Sequence, residues 1–142
     1  MKIIGFNFDK INIEKLTSKT EKNLEVKTNI DILEIKEIKS ESTIMKEDFL
    51  GVQFIFNINY DPDFAKINLS GNVLFAIDSK FSKDILKQWK DKKMPEDFRI
   101  LLFNVILRKA NLKALELEEE MNLPLHVPMP SLKKQEDKPK DK

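Results

Sequence analysis

The residues able to do chemistry are few and scattered. The one histidine, His126, stands between Leu125 and Val127, among Pro124, Pro128 and Pro130. An imidazole can act as an acid–base group or a metal ligand, but a lone one excludes a multi-histidine metal site within the chain. No cysteine is present, which removes disulfides, zinc-thiolate sites, iron–sulfur clusters and thiol nucleophiles. Asp61 and Asp63 flank Pro62 and offer oxygen ligands to a cation, yet ordinary turn chemistry accounts for both. Gly5, Gly51 and Gly71 are the only glycines, so no glycine-rich loop can cradle a phosphate. Neither Gly-x-Ser-x-Gly nor His-Glu-x-x-His occurs. No catalytic, cofactor-binding or metal-ligating set is assigned, and an enzyme is not expected. His126 is expected to be a surface side chain in an extended segment.

Charge narrows the partners. Twenty-five Lys and Arg face 24 Asp and Glu, a net charge of +1 over 142 residues. That balance supplies no global field to draw in nucleic acid or an anionic membrane. Lys83, Lys87 and Lys90, continued by Lys92 and Lys93, form a basic stripe. Arg99 and Arg108 are the only arginines, and Trp89 is the only aromatic residue interleaved with the stripe. A nucleic-acid surface would need more of both, so a solvated helix face is expected. The longest mostly apolar stretch, Phe98 to Leu107, is far short of the ~20 residues that span a bilayer. The opening Met1 to Phe6 meets charge at Asp9 and Lys10, unlike a signal peptide. A soluble, cytoplasmic chain is the expectation.

The elements come next. From Leu50 to Tyr60, apolar Leu50, Val52, Phe54, Phe56, Ile58 and Tyr60 are all two apart, with polar residues between them except at Ile55. That is a half-buried strand. Asp61 to Phe64 reads as a turn, after which Ala65, Ile67, Leu69, Gly71, Val73, Phe75 and Ile77 repeat the alternation. Pairing Tyr60 with Ala65 sets Ile58 against Ile67, Phe56 against Leu69 and Val52 against Val73, so both apolar rows share one face. Two strands precede this hairpin. Ile4, Phe6 and Phe8 alternate, and Ile11 and Ile13 resume in the other phase, which predicts a bulge at Asp9-Lys10. Val26, Thr28, Ile30 and Ile32 form the next strand, with a phase switch at Leu33 and Ile35. The segments near Thr17–Lys22 and Ser40–Thr43 read as polar turns.

Ser82 is the expected N-cap of a short helix through Lys93, its apolar stripe made of Ile85, Leu86 and Trp89. A long helix follows from about Pro95 to Met121. Its first half is apolar on nearly every side and must be covered all round. At 1.5 Å per residue it spans ~40 Å, about the diameter of a compact domain of this size, so partner subunits are expected to cover part of it. The triple acid Glu118-Glu119-Glu120 opposes the helix dipole and needs a local offset. Leu123 to Pro130 takes an extended path along a surface, and residues 133–142 form a charged, solvated tail. The chain thus reads as one α+β domain over residues 1–132: a four-stranded antiparallel sheet, then a short helix and a long C-terminal helix.

This layout resembles the SecB-like chaperones. The resemblance is carried by Ile100-Leu-Leu-Phe-Asn-Val-Ile-Leu running on to Leu123-Pro-Leu-His-Val-Pro-Met-Pro, which looks like the family's long helix and post-helical segment. The phase break at Asp9-Lys10 and the strand Phe49–Tyr60 sit where its first and third strands would. The stretch from Asn104 to Pro130 also looks like small archaeal proteins of this type. The resemblance implies a homotetramer built as a dimer of dimers, its long helices packed between sheets. It implies a holdase that binds unfolded or precursor polypeptides through hydrophobic grooves without nucleotide, and some relatives serve toxin–antitoxin pairs. The tail departs from export members. It carries five Lys and three acids where theirs are acidic, which argues against engaging a translocation ATPase. Candidate client contacts are Phe6 and Phe8 on the first strand, Phe49, Ile55 and Leu74 on the outer sheet face, Leu86 and Trp89 on the short helix, and Leu125, Val127 and Met129 in the tail. Rival readings are an adaptor with one protein partner, and a small apolar-ligand binder with a cavity between sheet and long helix.

Overall fold

Two rows of apolar side chains, brought to one face by a hairpin, organise the whole chain. The computed structural model describes residues 1–17, 23–38 and 47–134. Four strands, β1 (Lys2–Lys15), β2 (Glu25–Ile38), β3 (Glu47–Asp61) and β4 (Ala65–Asp78), precede two helices, α1 (Ser79–Trp89) and α2 (Glu96–Met121). The strands form one antiparallel sheet in the order β1-β4-β3-β2. The hairpin pairs β3 and β4 with Tyr60 opposite Ala65, Ile58 opposite Ile67, Phe56 opposite Leu69 and Val52 opposite Val73, as the alternation requires. Its turn holds Asp63 at φ 40°, which aspartate tolerates.

The inner residues of β3 and β4 are buried together with Ile85 of α1 and Phe98, Leu102, Ile106, Ala110 and Ala114 of α2. Both helices therefore cover the same face. At one end the Phe98 and Phe75 rings lie 5.1 Å apart. At the other, Glu118 reaches Tyr60, the partner of Ala65. Phe98 to Glu118 is ~30 Å of helix at 1.5 Å per residue, and Phe75 to Ala65 is ~34 Å of strand. The lengths nearly match, so α2 lies along the strands. Burying Phe98, Leu102 and Ile106 contributes roughly 1.5–3 kcal/mol each.

The edge strands carry the irregularities. Register shifts fall between Ile3 and Gly5 and between Phe8 and Lys10 on β1, and between Ile32 and Glu34 on β2. The extra residues are Ile4, Asp9 and Leu33. The phase breaks foretold the last two, while the break at Ile4 had no such signal. Asp9 closes its bulge by accepting from the side-chain amides of Asn7, at 2.8 Å, and of Asn72. On the outer face Asn12, Asn68, Asn57 and Asn29 stand abreast, one from each strand.

Two expectations about the helices are corrected. The N-cap of α1 is Asp78, whose carboxylate accepts from the Phe81 N–H at 2.9 Å. The helix thus starts three residues before Ser82 and ends at Trp89, not Lys93. Ser82 is turned inward beside Ile85, and its hydroxyl has no hydrogen-bond partner among the described residues. In α2, Pro95 is the N-cap and Glu96 begins an unbroken helix. The predicted turns at 18–22 and 40–43 and the tail from 135 lie outside the described residues.

Gly71 has a steric reason to be glycine. A Cβ there would overlap the Asn7 carbonyl oxygen and come within 2.9 Å of Phe8 Cα, whereas a Cβ at Gly5 would meet Leu74 at an ordinary 3.5 Å. Gly71→Val is expected to lower stability by about 1–3 kcal/mol, the usual cost of overpacking, while Gly5→Ala leaves it nearly unchanged. Denaturant titration followed by the fluorescence of the single tryptophan compares the two.

Candidate functional site

The predicted contact residues fall into three places. Phe6 and Phe8 project from β1 onto the inner face, half-buried, beside α2. Their rings meet edge to face at 5.1 Å, and Phe54 lies 5.4 Å from Phe6 and 6.3 Å from Phe8. The missing side chain at Gly71, the residue opposite both Phe8 and Phe54, leaves the rings room to touch. α2 directs Lys109 at this spot, its Nζ 5.9 Å from the Phe6 ring centre. By helical spacing Leu101, Val105 and Leu112 share that side, and Leu112 is 61% exposed. The result is an aromatic strip roofed at its edge by an aliphatic helix flank and one ammonium group.

Phe49, Ile55 and Leu74 lie on the outer face, as the alternation placed them. Phe49 stands opposite Ala76 and Ile38, and Gly51 opposite Leu74. The Ile38 side chain folds over Gly51, where a Cβ would come within 2.6 Å of it. Neither helix reaches this apolar spot, since both occupy the inner face. Ile55 stands apart from it, opposite Ser70 and Asp31. Leu86 and Trp89 pack half-buried on the core, and Lys92 lies 4.4 Å from the Trp89 ring centre. Leu125 and Met129 are exposed and Val127 is half-buried. The candidates thus occupy two faces and a terminal segment, not one site.

A second apolar face was seen in sequence only as surplus grease. Ile100, Phe103 and Leu107, three and four residues apart, share one side of α2. Ile100 is 49% exposed and Leu107 37%, so the described residues leave that side open.

His126 overturns its expectation. Its side chain is 1% exposed, and that of Glu118 is fully buried. Asn122 ends α2 in the left-handed conformation at φ 54°, and the chain folds back. Tyr60 Oη then lies 2.6 Å from Glu118 Oε2 and 2.6 Å from the Pro124 carbonyl oxygen. The His126 main-chain N–H donates to Glu118 Oε1 at 3.2 Å. His126 Nδ1 sits 2.9 and 2.8 Å from the two carboxylate oxygens, and Nε2 2.7 Å from Asn111 Oδ1. Turning Glu118 into this cluster supplies the local offset that the triple acid requires. Glu118 also ends the buried row of α2, a signal the sequence does hold: Phe98, Leu102, Ile106, Ala110, Ala114 and Glu118 are each four apart. The Tyr60, Glu118 and His126 side chains are closed off from solvent, with Asn111 half-buried beside them. Among the described residues no group of His, Asp and Glu side chains is arranged to hold a metal, and no helix is long and apolar enough to cross a membrane.

Burial foremost, then the hydrogen bond and charge of Glu118, push the Tyr60 hydroxyl well above the ordinary tyrosine range. Below pH about 10 folded and unfolded chains both keep this proton. Above it the unfolded chain ionises and the folded one does not, so stability falls as pH rises past that point. Tyr60 is the only tyrosine. Phenolate absorbance during alkaline titration is therefore expected to appear in step with unfolding, and not before it.

No family model matches the chain, and no curated protein does. Among solved structures it is similar to the Mycobacterium tuberculosis Rv1957 SecB-like chaperone in complex with a ChAD peptide from the Rv1956 HigA1 antitoxin. The TM-score is 0.55 at 11% identity, over 90% of this chain and 85% of that one. The four-stranded antiparallel sheet with a short and a long helix is the SecB-like α+β fold.

Proposed function

We propose that this protein is a nucleotide-independent holdase that binds unfolded or precursor polypeptides. The observation that carries the reading is the strip of Phe6, Phe8 and Phe54 beside α2. It is apolar, partly open and bordered by charge, the surface an adaptable binder needs. It lies on an edge strand, where an extended polypeptide can also add main-chain hydrogen bonds indifferent to its side chains. The fold shared with a SecB-like chaperone supports the reading, which is non-enzymatic and places the protein in the cytoplasm. The Leu125, Val127 and Met129 segment would line or close the client path, and the Phe49–Leu74 spot would extend it.

Self-association belongs to the same proposal. The Ile100, Phe103 and Leu107 face of α2 suits a second copy of the chain, giving a dimer or, by repetition, a tetramer. A second reading, an adaptor for one protein partner, is favoured by the neighbour's structure, which holds a peptide from an antitoxin.

Two measurements test these proposals. The protein is expected to suppress aggregation of several unrelated unfolded proteins without ATP, and Phe6→Ala/Phe8→Ala to lose at least half of that effect while staying folded. Binding of one folded partner, with no effect on unrelated clients, would establish the adaptor instead. By light scattering the wild type is expected to be oligomeric and Ile100→Asp/Leu107→Asp monomeric but folded. A monomeric wild type would end the self-association claim.

A further inference from the structure

The aromatic strip continues along its strand. Beyond the bulge, β1 resumes with Ile11 opposite Leu69 and Ile13 opposite Ile67, both on the inner face. Ile11 is 46% exposed and Ile13 half-buried. An open apolar row therefore runs from Phe6 through Phe8 to Ile11 and Ile13.

Charge is divided between the two faces of β1. Asp9 is the only acid from Ile3 to Ile13. It is the bulged residue, and its carboxylate accepts from the side-chain amides of Asn7 and Asn72. Asn72 stands opposite Asn7 and Gln53, on the outer face, so Asp9 is held away from the strip. The inner face meets a cation instead. Lys109 is exposed, and its Nζ lies 5.9 Å from the Phe6 ring centre. On the same flank of α2, at four-residue spacing, Lys113 is already paired with Glu116 at 3.1 Å. Asp97 shares this flank but stands ~18 Å back along the helix, beyond a Debye length at physiological salt.

An ammonium at this distance from an exposed ring is held weakly. A carboxylate laid beside the ring offers it a stronger, charge-assisted contact, and a second ammonium there is repelled. We propose that Lys109 sets the charge preference of the strip: it favours extended client segments that carry an acid two residues from an apolar side chain, and disfavours those that carry a base there. The inference rests on the holdase reading and names its client class. The spacing follows from the strand. A polypeptide added along the open edge of β1 turns every second side chain to the inner face. Its residues i and i+2 then meet the strip together, one on the Phe6 and Phe8 rings and one at the ammonium.

Three extended peptides of one sequence test this, differing only in whether Glu, Gln or Lys stands two residues from a phenylalanine. Titrated with the full chain at low salt and followed by fluorescence anisotropy, the Glu peptide is expected to bind about three- to tenfold tighter than the Lys peptide, with the Gln peptide between them. The gap is expected to narrow as salt rises. Lys109→Gln is expected to remove the order and Lys109→Glu to reverse it, both with native tryptophan fluorescence. Equal binding of the three peptides to the wild type, or an order that survives in Lys109→Gln and Lys109→Glu, would overturn the charge preference and leave the holdase reading in place. Binding of none of them, or binding untouched by Phe6→Ala/Phe8→Ala, would end both.

Discussion

One helix must cover a sheet as long as itself. Everything else follows from how α2 does so. Its buried residues are four apart from Phe98 to Glu118, and at about 100° per residue each step advances ~40° around the axis. Over five steps the row turns by ~200°. The helix therefore meets the sheet with one side near Phe75 and with another at Glu118, which still reaches Tyr60, and the far end gains a second cover. The segment beyond Asn122 supplies it. Side-chain size follows the same path, from Phe98, Leu102 and Ile106 to Ala110 and Ala114, so the helix can approach more closely where the returning chain must also fit.

A helix that winds out of its own contact stripe leaves other residues uncovered. Ile100, Phe103 and Leu107 are the apolar remainder on one flank, and Leu101, Val105 and Leu112 on the other. The first lies on the flank away from β1, with Ile100 49% and Leu107 37% exposed. The second borders the aromatic side chains of β1. An apolar helix of this kind builds a core and leaves open apolar surface with the same turns.

The hairpin was legible because strict alternation over eleven residues fixes face and register together, and the pairs from Tyr60–Ala65 to Phe49–Ala76 follow from one turn. The bulges at Asp9 and Leu33 were legible as breaks in phase. The start of α1 was not, because Asp78 and Ser82 are both good caps and the choice depends on which residues the sheet draws inward. His126 was misread for a stronger reason. Its burial depends on Tyr60 in another element and on one of three adjacent glutamates, and composition does not say which acid turns inward. The four-residue row pointing to Glu118 was present, but an acid at the end of an apolar series reads as the edge of the stripe. The aromatic strip was half visible: Phe6 and Phe8 were singled out, while Phe54 and Lys109 come from elements that only the fold brings beside them.

The outer face has a different character. Across its middle four asparagines stand in line, between a row of Lys10, Ser70, Ile55 and Asp31 and a row of Glu14, Lys66, Asn59 and Lys27. The charges beside them are of both signs and partly paired, so neither polyanion nor polycation is drawn to the face as a whole. The amides leave a neutral band between two charged rows, on the face opposite the helices.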